Sequence, residues 1–150
     1  MKNELIETLI KLFERDLDKL ASELSQYRDE RSIWLVRGEI KNTAGNLCLH
    51  LCGNLQHYIG VGLAKTDYKR DRDREFADKD ISRDQLLGLV AKTKETVLQA
   101  LRNFDASLLD TEYPLPVFDY AMSHTHFLVH LEGHLQYHLG QINYHRRLIG

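Results

Sequence analysis

Apolar residues recur at spacings of three and four along this 150-residue chain, and this periodicity limits what the chain can fold into. Such spacing places them on one face of an α-helix, whereas no stretch shows the alternation typical of a strand. With only 2 Pro and 9 Gly, the chain has few residues that interrupt helices. The first helix is predicted from about Lys2 to Gln26, with an apolar stripe formed by Leu5, Leu9, Phe13, Leu17, Leu20 and Leu24.

The second helix is predicted from its boundary residues. It begins near Asn42 or Thr43, which are both of types that cap helices, and it ends at Gly60 or Gly62. The preceding residues, 27–41, break the helical period and are expected to pack against the bundle as a connection.

The third helix begins with a capping box at residues 82–85, and the fourth begins near Asp119 or Ser123 and ends near Leu148. We therefore predict an all-α fold, a four-helix bundle with longer connections between helices 1 and 2, 2 and 3, and 3 and 4. A length of 150 residues is that of one domain, and we expect residues 1–150 to form it.

The composition excludes several classes of protein. The 20 basic and 22 acidic residues give a net charge of −2, which argues against a general nucleic-acid binder. No apolar run approaches the roughly 20 residues of a membrane span. Because the first residues are charged and amphipathic and the chain has only 2 Cys, we expect a cytoplasmic protein with reduced thiols.

One segment departs from the helical pattern. Residues 65–80 contain six basic and six acidic residues and almost no apolar ones. Because these charges cancel, we interpret the segment as a solvated loop. The alternative interpretation is a mobile lid over a site.

The most informative residues are the 8 His, which are concentrated near the C-terminus. At about 100° per residue, five polar residues share one narrow stripe of the fourth helix, at the margin of its apolar face. These residues are His130, His134, His138, Gln141 and His145. Two His at i and i+4 lie close enough to bind one metal ion, so both the 130/134 and the 134/138 pair are candidates. Imidazole suits Zn, Ni, Fe or Cu.

A third ligand would come from the second helix, where His50 borders the apolar face. His57 lies on the same side but nearly two turns further along, so His50 is the residue that would face His134. Cys48 and Cys52 lie on the opposite side of that helix from His50 and cannot share its metal ion. We interpret both Cys as small buried hydrophobic residues.

Other polar residues accompany the candidate ligands. Asn54 and Gln141 are candidates to orient the ligands or a bound water, and the alternative interpretation is hydrogen bonding between helices. The segment from His130 to His134 is similar to a zincin motif only superficially, because Glu132 is one position too late to act as its general base. The residues that are candidates to extend the polar lining of the pocket are His57, His130 and His145, and the alternative interpretation is that each is a partly exposed helix residue.

Two motifs carry a resemblance to a known family. Residues 134–142 read HLQYHLGQI and resemble the H-x-x-x-H-x-G-Q-I signature of DinB-like proteins. Residues 46–55, NLCLHLCGNL, resemble the motif of the family's second helix. Residues 72–76, RDREF, are similar to the corresponding loop in one branch of the superfamily.

The resemblance implies a four-helix bundle with a metal site formed by His50, His134 and His138, which favours the 134/138 pair. The expected cofactor is a divalent metal ion, Zn or Ni, and relatives commonly form homodimers. The superfamily includes metal-dependent transferases that act with low-molecular-weight thiols such as bacillithiol, and a mycothiol-dependent isomerase. The chain departs from the commoner H-H-R-G-Q pattern at Tyr137 and Leu139, and neither change removes a ligand.

Two functions follow as hypotheses. The first is a metal-dependent thiol S-transferase acting on an electrophilic small molecule, because three His leave one metal position open. The second is a non-catalytic metal-binding or stress-associated dimeric bundle, because no Glu or Asp lies on the His stripes to act as a general acid or base. The apolar residues 113–122 are a candidate dimer contact.

Overall fold

The computed structural model describes residues 2–150, and these residues form helices and no β-strand. The α-helices are α1 (Glu4–Ser25), α2 (Ala44–Leu55), α3 (Gly62–Ala64), α4 (Arg72–Ala77), α5 (Arg83–Arg102) and α6 (His124–Ile149). A π-helical turn, Gln56–Val61, joins α2 to α3, and 3₁₀ turns lie at Glu30–Trp34 and Ala106–Leu108. The prediction of an all-α fold is confirmed.

The four long helices pack as a bundle. Helix α1 lies against α5 and α6, and α2 also lies against α5 and α6. The predicted stripe of α1 faces the core, where burial of each large aliphatic side chain contributes about 1.5–3 kcal/mol. Its most deeply buried members are Leu9, Phe13, Leu17, Leu20 and Leu24. None of the helices formed by residues 2–150 combines the length and hydropathy that a bilayer span requires.

Side-chain caps fix where three of these helices begin. The Thr43 side chain accepts from the Asn46 N–H at 3.0 Å, which starts α2. Ser82 and Gln85 form the predicted capping box at the start of α5. The Ser123 side chain caps α6. Of the alternatives given by the sequence, Thr43 is therefore the residue that caps α2, and Ser123 is the residue that caps α6.

The predicted end of the second helix is wrong. Neither Gly60 nor Gly62 stops it, and the helical chain continues to Ala64, after which Lys65 takes a left-handed φ of 57°. The Tyr113 hydroxyl donates to the Tyr58 carbonyl, within the π-helical turn, at 2.6 Å. A Cβ on Gly62 would overlap that hydroxyl. Glycine serves here for close packing rather than for helix termination.

Residues 27–41 pack against the bundle, as predicted. The Trp34 indole N–H donates to the Ile81 carbonyl at 3.1 Å, and Ile33 is fully buried. The Trp34 ring lies so close to Gly45 of α2 that a Cβ there would overlap it. This connection therefore fixes the first turn of α2 against the start of α5.

His145 joins the same connection to α6. Its Nε2 donates to the Leu35 carbonyl at 2.8 Å, and its Nδ1 accepts from the Tyr27 hydroxyl at 2.6 Å. Burial lowers the pKa of His145 below its ordinary value. The side chain is therefore neutral in the folded protein at neutral pH.

We expect His145 to make stability depend on pH. In the unfolded chain His has a pKa of about 6.5, so protons bind the unfolded chain more readily than the folded one. The stability that neutral His145 contributes is complete above that pH and is lost as the pH falls below it. When the pH is lowered from about 7.5 to about 5.5, the free energy of unfolding measured in urea should fall less for His145→Gln than for the wild type. The exposed His126→Gln should behave as the wild type, and equal losses in His145→Gln and wild type would contradict the assignment.

Candidate metal centre

Three His side chains meet between α2 and α6. One nitrogen from each of His50, His134 and His138 lies within 4.8 Å of the other two. Nε2 of His50 is 3.2 Å from Nε2 of His134. Two nitrogens bound to one tetrahedral zinc ion at about 2.0–2.1 Å lie roughly 3.4 Å apart. The spacing therefore fits two ligands of a single ion, with the third close by.

The environment keeps two of these imidazoles, those of His134 and His138, neutral. Burial, together with the neighbouring His138 and His50, lowers the pKa of His134 to about 3. Burial also lowers the pKa of His138. A neutral imidazole keeps the lone pair that a metal ion binds, so these two residues have the protonation state that metal binding requires.

Glu75 of α4 positions the His50 ring. Its Oε1 lies 3.1 Å from His50 Nδ1, and the side chain is 93% buried. Burial raises the pKa of Glu75, but the hydrogen bond with His50 and the ion pair with Arg70 outweigh it and hold the pKa below its ordinary value. An ionised carboxylate only accepts hydrogen bonds, so His50 donates from Nδ1 and directs the Nε2 lone pair into the cluster.

Arg70 completes this arrangement. Its Nε and Nη2 donate to the two Glu75 oxygens at 2.9 and 3.0 Å. Its guanidinium also lies 5.7 Å from the centre of the Tyr58 ring. The Phe76 ring packs on His50, with 4.9 Å between ring centres. A bidentate ion pair and an aromatic contact together fix the segment that follows α3 against the His cluster.

The interpretation of residues 65–80 as a solvated loop is therefore wrong for its central part. Helix α4 forms within it, and the Asp71 side chain caps this helix by accepting from the Arg74 N–H. Glu75 is buried because two partners neutralise and satisfy its carboxylate. The zero net charge of the segment does not indicate that Glu75 pairs with Arg70 and His50. The Asp cap followed by Glu-Phe was the sequence signal that a short ordered helix lies here.

Gln141 and Asn54, the two polar residues predicted beside the ligands, differ in their contacts. Gln141 Oε1 lies 2.7 Å from Nδ1 of His138, so that His138 donates and its Nε2 keeps a lone pair. Asn54 is buried on α2, and its Oδ1 has no hydrogen-bond partner within the described part of the chain. The role predicted for Asn54 stays a prediction.

The remaining candidate His lie around the cluster rather than in it. His57 is half-buried beside Tyr58, and His130 is exposed against the Phe118 and Phe127 rings. His145 lies beyond His138 in the contacts with Tyr27 and Leu35 described above. Their predicted role in lining the pocket stays a prediction.

Neither the Cys pair nor Glu132 joins the cluster. Cys48 and Cys52 are buried in the core with free thiols, as predicted for small hydrophobic residues. Glu132 is buried beside Asp16 of α1, where desolvation and the hydrogen bond with Asp16 raise its pKa to about 8. The carboxyl group of the zincin-like segment is therefore held on the opposite side of α6.

A cavity of about 840 Å³ begins beside the cluster at Gln141. Its walls carry the charged side chains of Arg37, Glu39 and Lys41 and apolar side chains such as that of Leu47. It is large enough for a small-molecule ligand with both a charged and an apolar part.

The comparison with family models identifies the family. The model of the DinB superfamily matches residues 10–142. The chain therefore belongs to the DinB superfamily. A search of curated proteins finds no significant match.

We expect loss of the Glu75 charge to weaken metal binding. Removing a carboxylate that orients a metal-bound His typically costs roughly 10- to 100-fold in affinity. Glu75→Gln should therefore bind zinc about 10- to 100-fold more weakly than the wild type in competition with a chromophoric chelator. Asp73→Asn is the matched control, because Asp73 is exposed on the same helix α4. Equal zinc affinity of Glu75→Gln and wild type would contradict the role of Glu75.

Proposed function

We propose that this protein is a metal-dependent thiol S-transferase, with a divalent metal ion held by His50, His134 and His138. The observation that carries the proposal is the cluster of three imidazoles with nitrogens within 4.8 Å of one another, which leaves a bound metal with a position for substrate. A divalent metal ion in such a site lowers the pKa of a coordinated thiol or water. Zinc and nickel both suit three imidazole ligands.

The surrounding residues support this chemistry by holding the ligands still. Glu75 and Gln141 each engage the outer nitrogen of one ligand, His50 and His138, and so fix the orientation of its ring. Phe76 covers one side of His50 with apolar surface, which limits the access of water. Such fixed ligands lose little conformational freedom when substrate binds.

The proposed reaction joins the sulfur of a low-molecular-weight thiol to an electrophilic carbon. A carbon–sulfur bond forms, the leaving group departs with its electron pair, and the thiol proton is released. The cavity beside Gln141 offers Arg37 and Lys41 for an anionic group, Glu39 for a cationic one and Leu47 for an apolar one. A thiol that carries a carboxylate fits this lining.

A non-catalytic metal-binding bundle is the second candidate. Both oxygens of Glu75, the carboxylate that contacts His50, are engaged by Arg70 or His50. This carboxylate is therefore not free to remove a proton from a substrate. Such an arrangement is compatible with metal binding alone.

Metal content tests the site. Protein purified without a nickel column should contain about one metal ion per chain. His134→Ala should lower metal affinity by more than roughly 100-fold, because it removes a ligand rather than an outer partner. His126→Ala is the matched control, since His126 is an exposed imidazole on the same helix. A metal content that is unchanged in His134→Ala would contradict the site.

Thiol consumption separates the two candidate functions. The metal-loaded protein should accelerate the loss of a thiol in the presence of an electrophile such as monobromobimane or a chlorodinitrobenzene. His138→Ala should abolish this acceleration, whereas His126→Ala should keep it. A metal-loaded protein that accelerates no reaction with any common low-molecular-weight thiol would favour the non-catalytic bundle.

A further inference from the structure

Two of the ligand imidazoles each have an aromatic neighbour outside the cluster. The Phe76 ring packs on His50, with 4.9 Å between ring centres. The Tyr137 ring meets His138 edge to face, with 5.2 Å between ring centres. Phe76 is half-buried, whereas Tyr137 is 65% exposed. Most of the Tyr137 ring is therefore accessible to another molecule directly beside a ligand.

The third ligand, His134, also has aromatic neighbours. The His130 ring is stacked beside it, with 6.4 Å between ring centres. Phe118, from the connection that precedes α6, meets the exposed His130 ring edge to face at 5.4 Å. Tyr120 stacks on Phe118 at 5.5 Å, and these two rings are 60% and 43% exposed. A row of accessible rings therefore leads from the solvent towards His134.

Helix geometry places the rings of α6 on the solvent side of the ligands. At about 100° per residue, Tyr137 and His130 lie about 60° and 40° from His134 around the helix axis. Leu131 and Leu135, which are buried in the core, lie on the other side of His134. A molecule that approaches the cluster from this side therefore meets the rings of Tyr137 and His130 first.

These residues form a surface that we call the aromatic rim: Phe76, Phe118, His130 and Tyr137. Aromatic rings associate in offset-stacked or edge-to-face pairs with about 4.5–7 Å between ring centres. The rings of the rim already pair in this way with the ligands or with one another, and the outer sides of Tyr137 and Phe118 remain exposed. Such a surface favours a planar ring over a saturated ring of the same size.

The aromatic rim and the cavity at Gln141 lie at opposite ends of the ligand pair on α6. The cavity extends from Gln141 towards the C-terminus and carries the charged side chains of Arg37, Glu39 and Lys41. His130, by contrast, lies one turn before His134. A reaction between a thiol and an electrophile has two reactants, and these two surfaces suit reactants of different chemistry.

From these observations we propose that the aromatic rim binds the electrophile, and that this electrophile carries an aromatic ring next to its reactive carbon. The inference rests on the proposed S-transferase function and gives that function a substrate class, the benzylic electrophiles. The thiol sulfur bonds to the benzylic carbon, and the bond from that carbon to the leaving group breaks. The leaving group takes the electron pair, and the thiol proton passes to solvent. Tyr137 and Phe118 determine the preference because they contact the ring of the substrate.

Binding of unreactive product analogues tests the aromatic rim without turnover. S-benzylcysteine and S-(cyclohexylmethyl)cysteine share the cysteine part and differ in whether the ring is planar or saturated. In isothermal titration calorimetry, the zinc-loaded wild type should bind the benzyl compound about 3- to 10-fold more tightly, although the cyclohexyl group is more hydrophobic. Tyr137→Leu should reduce this preference to within about 2-fold, because it removes the exposed ring.

Tyr144→Leu is the matched control. Tyr144 lies on the same helix and is 71% exposed, but its ring lies against Arg147 and lines the other cavity. This variant should bind the two analogues in the same ratio as the wild type, and circular dichroism melting should show that it is as stable as Tyr137→Leu. Equal affinity of the wild type for the two analogues, binding of neither, or an unchanged preference in Tyr137→Leu would overturn the proposal.

Turnover separates the aromatic rim from the proposed function. With 4-nitrobenzyl chloride as electrophile, Tyr137→Leu should raise KM about 3- to 10-fold and leave kcat within about 2-fold. With iodoacetamide, which has no ring, both constants should stay within about 2-fold of the wild type. If the wild type prefers S-benzylcysteine but transfers a thiol to neither electrophile, the proposed function fails and the aromatic site stands. If Tyr137→Leu leaves KM for 4-nitrobenzyl chloride unchanged, the function stands and the rim is overturned.

Discussion

The candidate metal centre depends on the interaction of the buried Glu75 carboxylate with Arg70 and His50. An ionised carboxylate is stable away from water only where charged or hydrogen-bonding partners surround it. Arg70 and His50 supply those partners, and both contacts are possible only when residues 65–80 fold back over α2. One ion pair thus orders an otherwise polar segment, brings Phe76 onto His50 and sets which nitrogen of His50 faces the cluster.

Three sides of helix α6 have different surroundings. One face enters the core through residues such as Leu135 and Ile142, which are fully buried. The adjoining edge carries His134 and His138, whose rings meet His50 across the boundary with α2. The remaining arc faces solvent and carries exposed side chains such as Tyr137, Tyr144 and Arg147. Because a helix is rigid over this length, the ligands at the edge are positioned by the same packing that buries the core face.

The parts of the structure that follow from local sequence could be predicted. The stripe of α1, the capping box at Ser82 and the meeting of His50 with His134 all follow from helical periodicity and capping chemistry. The end of the second helix and the role of Glu75 could not be predicted in this way. Both depend on contacts distant in sequence: Tyr113 packs on Gly62, and Glu75 contacts His50 across 25 positions. A segment with balanced charges gives no local signal of which charges pair.

X-ray absorption at the edge of the bound metal tests the central claim, that three imidazoles and no thiol hold the ion. For the zinc-loaded protein the account predicts three imidazole nitrogens at about 2.0 Å and an oxygen or thiol from solvent or added ligand in the fourth position. In thiol-free buffer the spectrum should contain no sulfur at about 2.3 Å. Sulfur at that distance would instead place the ion on Cys48 or Cys52, and fewer than three imidazoles would contradict the cluster as the metal centre.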